Sequence, residues 1–213
     1  MMAGPYKAAM VMKSGSCILR FATLAALLAA QLAAWSAEPG ATVVLQTSAG
    51  DIRIALETER APITSQNFLK YVDAGRFDGT TFYRALKNDK AGTEGLVQGG
   101  LQGRVRGAFP PIAHESTVTT GLSHVDGAVS MARGSPGSAR GEFFIVVGGM
   151  ITYDGVPNGG DPGFAVFGRV VSGMPVVRRI MRLPRSQEAR SEHMQGQMLA
   201  EPVTILTARR APQ

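Results

Sequence analysis

Residues 128–171 read AVSMARGSPGSARGEFFIVVGGMITYDGVPNGGDPGFAVFGRVV. Three short apolar runs stand out in this stretch: Ala128 to Ala132, Phe143 to Val147 and Ala165 to Val171. Glycine-rich segments separate them, so the stretch predicts short strands joined by turns. Two further runs lie upstream, Thr80 to Ala85 and Leu96 to Gln98. Earlier still, Thr42 to Thr47 and Ile52 to Glu57 flank the turn-forming Ser48-Ala49-Gly50-Asp51, which predicts a hairpin. A helix follows from Pro62, with Phe68, Leu69 and Val72 on one face and Gly75 to stop it. A second helix is predicted from about Met174 to Leu183, with Val176, Val177, Ile180 and Met181 on one side and Pro184 at its end. The polar stretch Glu188 to Ala200 reads as a loop, and Val203 to Ala208 as the last strand. Many short strands with two helices predict a closed or nearly closed antiparallel barrel, because closure removes exposed strand edges.

The chain has 213 residues, of which 45% are hydrophobic and 18% charged, a balance that supports a packed core rather than disorder. Residues 1–37 carry Lys7, Lys13 and Arg20 and no acid. The apolar run Phe21 to Ala34 is about 14 residues long, short of the roughly 20 a membrane-spanning helix needs. A basic start, a short apolar run and small residues after it describe a secretory signal peptide. Cleavage after Ser36 places Ala34 at the minus-three position, where cleavage after Ala37 would place bulky Trp35. The single cysteine, Cys17, leaves with this leader, which suits an oxidising compartment such as the periplasm. The exported domain, 38–213, then carries 22 − 3 = 19 basic and 16 acidic residues, a formal charge of +3. Nucleic-acid binding loses most of its support, and no stable membrane span is expected after processing.

Familiar catalytic constellations are missing. Ser130, Ser135 and Ser138 lie near glycines, but none sits in a G-x-S-x-G elbow. His114, His124 and His193 show no metal-ligand spacing, and His114 reads as a surface or structural residue. Asp154 and Asp161 flank glycines without the spacing of a calcium loop. Gly99-Gly100 and Gly103 lack the Lys-Ser/Thr and the helix of a phosphate loop. Hydrolase, metalloenzyme and nucleotide-binding readings are disfavoured, and neither metal nor cofactor is expected.

Five ordered segments resemble the cyclophilins, a family of peptidyl-prolyl cis-trans isomerases. They are Gly79-Thr80-Thr81-Phe82-Tyr83-Arg84, Val97-Gln98-Gly99-Gly100, Ser130-Met131-Ala132-Arg133, Glu142-Phe143-Phe144-Ile145 and Phe164 to Val170. Gly50-Asp51-Ile52, Asn67-Phe68 and Gly75 to Gly79 extend the match over roughly Val43 to Ala208. The resemblance implies a mainly β fold, an eight-stranded antiparallel barrel capped by two helices, and is nearest to exported bacterial members. It implies proline-containing polypeptides as substrates and assistance to folding of exported proteins. A monomer is expected.

The resemblance also assigns roles. Arg84 takes the place of the arginine that acts on the prolyl nitrogen, and Gln98 that of the glutamine that orients it. Phe144 matches the floor of the proline pocket, with Ala132 at its rim and Leu96 in its wall. Arg133 falls where the backbone meets the peptide, and Phe164 where the family often has His or Tyr. Phe143 and Phe144, as neighbours on a strand, face opposite ways, one to the core and one to the pocket. Three positions depart from the pattern. Glu142 replaces a glutamine that donates to the substrate, and an ionised carboxylate only accepts. Gly95 stands where the family has a pocket phenylalanine, and Thr152 or Tyr153 where it has a tryptophan. These departures leave a second reading, a barrel kept as a peptide- or protein-binding module with catalysis weakened. Intact Arg84, Gln98 and Phe144 favour the isomerase.

Overall fold

The computed structural model describes Met1 and residues 40–102, 107–187 and 192–212. Apart from Met1, the leader expected over 1–37 lies outside the described residues, as do Gly103 and Glu188. The chain opens with the expected hairpin, β1 (Ala41–Thr47) and β2 (Gly50–Leu56). Thr47 locks its turn, donating from Oγ1 to the Gly50 carbonyl and accepting from the Ala49 N–H. Helix α1 (Pro62–Asp73) follows, then β3 (Thr81–Lys87) and β4 (Gly95–Gly100). After α2 (Thr117–Thr120) come β5 (Ala128–Met131), β6 (Glu142–Val147) and β7 (Ala165–Ser172). Helix α3 (Met174–Arg182), the two-residue β8 (Arg185–Ser186) and β9 (Met198–Arg210) complete the order.

Pairing runs β1-β2-β7-β5-β6-β4-β3-β9, and β9 returns to β1, so eight antiparallel strands close into a barrel. β8 adds only to the outer end of β9, through Arg185 opposite Leu199 and Ser186 opposite Met198. That pairing lengthens the last strand beyond the expected Val203 to Ala208. Leu199, Val203, Ile205 and Ala208 point inward, but Glu201 and Pro202 interrupt the apolar alternation that marks a strand in sequence. The one-turn α2 was likewise not expected; Ser116 caps it by accepting from the Val118 N–H.

The barrel interior is filled by alternate residues of every long strand, among them Leu45, Ile54, Phe82, Val97, Phe143 and Phe167. Helix α1 plugs one mouth with Phe68, whose ring centroid lies 5.1 Å from Phe167 and 5.3 Å from Phe143. Its first turn has no side-chain cap of its own. Glu115 supplies one from the loop before α2, accepting from the Ile63 and Thr64 N–H groups at 3.1 and 2.8 Å. Helix α3 closes the other mouth with Val177, Ile180 and Met181, all fully buried. No helix of the described residues is long and apolar enough to cross a membrane.

Candidate active site

Strand pairing aligns one row of residues across the outside of the barrel. Arg84 on β3 stands opposite Gln98 on β4, Gln98 opposite Phe144 on β6, and Phe144 opposite Ser130 on β5. Neighbours in such a row are about 4.5–5.5 Å apart, close enough for side chains to interact. A bulge admits Arg84 to this row. The register shifts between Phe82 and Arg84, and Tyr83 is the extra residue. Phe82 and Ala85 face the core while Tyr83 and Arg84 both face outward, which strict alternation forbids.

On the outer face a chain of directed hydrogen bonds ends at the guanidinium. Tyr83 donates to Glu142 Oε2 at 2.7 Å and therefore accepts from Gln98 Nε2, at 2.8 Å. That turns the Gln98 carbonyl toward Arg84, whose Nη1 donates to it at 2.7 Å. From the other side Gln197 accepts from Arg84 Nε and Nη2 at 2.8 and 2.6 Å. Burial lowers the Arg84 guanidinium from its ordinary value, with Tyr153 and Tyr83 acting in the opposite sense. A guanidinium nonetheless stays charged throughout the working pH range. Burial, reinforced by the negative charge of Glu142, pushes the Tyr83 phenol far up, so it remains a neutral donor.

Beside this chain lies a small apolar cluster outside the barrel. Phe144 is 2% exposed and meets Phe164 and Tyr153 edge-on, at 5.6 and 6.0 Å. Leu96, Val146, Val166 and Met150 pack around it, with Ala132 and Leu122 at its margin. Phe143, its neighbour in sequence, is in the core, as alternation requires. Beneath Phe144 lies His124, stacked at 5.9 Å and 13°. Its Nδ1 is 2.5 Å from Asp154 Oδ1, and its Nε2 is 3.0 Å from Ser130 Oγ. Burial lowers the His124 pKa, against the pull of Asp154. Burial also raises the Asp154 carboxyl, but bonds from Ser123 and His124 outweigh it and hold the group below its ordinary value. The constellation has the members of a hydrolytic triad but not the access. Ser130 and His124 are 0% exposed, so the set braces the aromatic floor.

A cavity of about 330 Å³ adjoins the row. Tyr83, Gln98, Ala132, Glu142, Arg133, Arg140, Met194 and Met198 are among the residues that line it. Arg133 is engaged with the segment that leads into β7. Its Nε donates to the Gly163 carbonyl at 3.1 Å, and its guanidinium lies 4.9 Å from the Phe164 ring.

Comparison with known proteins fixes the family. The family model for cyclophilin type peptidyl-prolyl cis-trans isomerase/CLD matches residues 42–209. The chain belongs to the cyclophilins. It is 36% identical to peptidyl-prolyl cis-trans isomerase A of Dickeya dadantii over 154 residues, covering 70% of this chain and 76% of that one. It is 33% identical to a peptidyl-prolyl cis-trans isomerase of Acinetobacter baylyi over 169 residues, covering 78% and 82%. Among solved structures it resembles a Cryptosporidium parvum cyclophilin type isomerase crystallised in the presence of the dipeptide Ala-Pro. The TM-score is 0.64 at 18% identity, over 81% of this chain and 99% of that one.

The residues singled out from the cyclophilin resemblance fall into two adjoining groups. Leu96, Phe144 and Phe164 meet in the apolar cluster, while Gln98, Arg133 and Glu142 face the cavity, and Ala132 belongs to both. Arg84 joins the groups through Gln98. Gly95 has φ +144°, and a Cβ there would overlap the Leu86 carbonyl oxygen and lie 2.5 Å from Met181 Cε. No phenylalanine fits on this backbone, and the Cβ direction leads to Met181 of the core rather than to the Phe144 cluster. Of the two candidates for the tryptophan position, Tyr153 is the one packed on Phe144. Sequence reasoning missed Gln197, Tyr83 as a relay, and the His124–Asp154 brace. Only Tyr83 carried a signal, as the phenol next to the arginine.

Proposed function

We propose that this cyclophilin catalyses rotation about X–Pro peptide bonds with Arg84 as the catalytic residue. Rotation breaks amide resonance against a barrier of ~18–20 kcal/mol. In the twisted state the prolyl nitrogen becomes pyramidal and gains a lone pair. A fixed donor aimed at that nitrogen stabilises the twisted state more than the planar one. The observation that carries this reading is the two-sided grip on Arg84 in the same row as Phe144. The grip uses Nε–H and one hydrogen on each Nη, so one more hydrogen on each Nη is left for the substrate. The proline ring would rest on the Phe144 cluster, with Leu96, Ala132 and Phe164 around it. Gln98, Glu142 and the backbone at Arg133 would meet the rest of the peptide.

The acid-free start and short apolar run of 1–37 support export to the periplasm with the leader removed near residue 36. Exported chains containing proline would then be the substrates, and the domain would act as a monomer without nucleic acid. Intact mass of protein recovered from the periplasm tests this; a full-length cytoplasmic chain would refute it.

The catalytic reading is tested by protease-coupled isomerisation of an Ala-Pro peptide by wild type and Arg84→Ala. The expected loss is roughly two to three orders of magnitude in turnover, the scale of removing one donor to developing charge. Lys should not rescue, because an ammonium cannot be gripped at two edges. A wild type no faster than background would favour the binding module, for which Glu142 and Gly95 are the supporting features. An active, well-folded Arg84→Ala would place the chemistry elsewhere.

A further inference from the structure

Gln197 touches the proposed catalytic cation directly, and no motif points to it. It sits one residue before β9, half-buried, and reaches Arg84 across 113 positions of sequence. Its backbone is fixed at both ends: its N–H donates to the Met194 carbonyl at 3.0 Å, and its carbonyl accepts from the Ala85 N–H at 2.9 Å. Its side-chain amide is oriented too, because Nε2 donates to the His193 carbonyl at 2.8 Å and leaves Oε1 facing the guanidinium. A single oxygen then accepts from Nε and Nη2 together, along one edge of the fork.

We propose that Gln197 is a second positioning residue for Arg84, a proposal that rests on the catalytic reading of Arg84 given above. An arginine side chain is long and freely rotating, and holding it in one orientation costs conformational entropy. Gln98 alone grips one nitrogen and would let the guanidinium swing about that bond. Gln197 grips the opposite edge and fixes the plane. As a neutral acceptor it orients the cation without cancelling the positive charge that faces the prolyl nitrogen. Met194 and Met198, on either side of it in sequence, line the cavity. The same short segment therefore sets the cation and forms one wall of the peptide's path.

Gln197→Met keeps the length of the side chain and removes the acceptor; Gln197→Ala removes both. Both variants should melt close to wild type. On an Ala-Pro peptide both should lose roughly tenfold in kcat, the scale of one hydrogen bond to a charged group, with KM little changed. In an Arg84→Ala background, Gln197→Met should change the residual rate no further. An unchanged or faster Gln197→Met, or an equal loss in both backgrounds, would overturn the proposal while leaving Arg84 as the catalytic residue. A wild type without activity above background would overturn both.

Discussion

Tyr83 gives its hydroxyl proton to Glu142 at 2.7 Å, and this bond decides which way the Gln98 amide points. With the proton committed to the carboxylate, the phenol oxygen can only accept. Gln98 must then present its NH₂ to Tyr83 and its carbonyl to Arg84. The acid at position 142, read from sequence as a lost donor, thus has a partner of its own. Tyr83 and Glu142 act as a pair, two bonds upstream of the guanidinium.

Tyr83→Phe removes the hydroxyl and keeps the ring. The Gln98 amide loses the bond that fixes its orientation and can turn its NH₂ toward Arg84, where it repels. Turnover should fall roughly two- to tenfold, about 0.5–1.5 kcal/mol for one hydrogen bond. Steady-state kinetics beside a thermal melt decide it, and an unchanged kcat would remove the relay from the mechanism.

Glu142→Gln keeps an oxygen to receive the Tyr83 proton and adds an NH₂ that can face the cavity. Activity or peptide affinity should rise roughly two- to tenfold, the value of one restored donor. Glu142→Ala, which offers neither group, should behave like Tyr83→Phe. A Gln variant slower than wild type would show that the carboxylate charge itself is required.

Restoring the family's aromatic at position 95 should fail. The backbone there is left-handed at φ +144°, and a Cβ meets the Leu86 carbonyl and Met181. Gly95→Ala should cost roughly 1–3 kcal/mol through strain alone, and Gly95→Phe more. Melting temperatures test this. A Phe variant as stable as wild type would mean that β3 and β4 separate at little cost.

Acid should loosen the floor of the site before it affects the cation. His124 is held neutral by burial, below its ordinary 6.5. As pH falls through about 6.5 the unfolded chain takes up a proton that the folded chain resists, so this stability is present at neutral pH and lost toward acid. Asp154, also held low, extends the loss below pH 3.8. The melting temperature should be level above about pH 7 and decline below it, and His124→Asn should flatten the first part of that decline. A wild-type melt that stays level from about pH 7 to 5 would count against a neutral, buried His124.

Much of the barrel was legible because strand periodicity is local. The hairpin through Gly50, the inward Phe143 beside the outward Phe144, and both long helices follow from residues a few positions apart. The site was legible only in part. Arg84 and Gln98 lie on adjacent strands and could be assigned by resemblance. The bulge at Tyr83 that turns Arg84 outward depends on β3 pairing with two different strands at once. Gln197 meets Arg84 only after the chain has circled the barrel, and His124 meets Asp154 across 30 residues. Contacts of that kind leave no periodicity to read. Polar Gln197 and Glu201 even disguised the start of β9 as loop.

The seam that closes the barrel joins β1 to β9, with Val43 opposite Arg210. Its two strands lie at opposite ends of the domain, so a ribosome delivers one of them long before the other. Until residues near 210 emerge, β1 has its hairpin partner but an open second edge, and β3 also waits for β9. Closing such a long loop is entropically slow, and unpaired edges invite association with other chains. A cyclophilin of this architecture is thus itself most exposed to aggregation late in its own synthesis, and shortening its last strand by a few residues would prolong that exposure in the finished molecule.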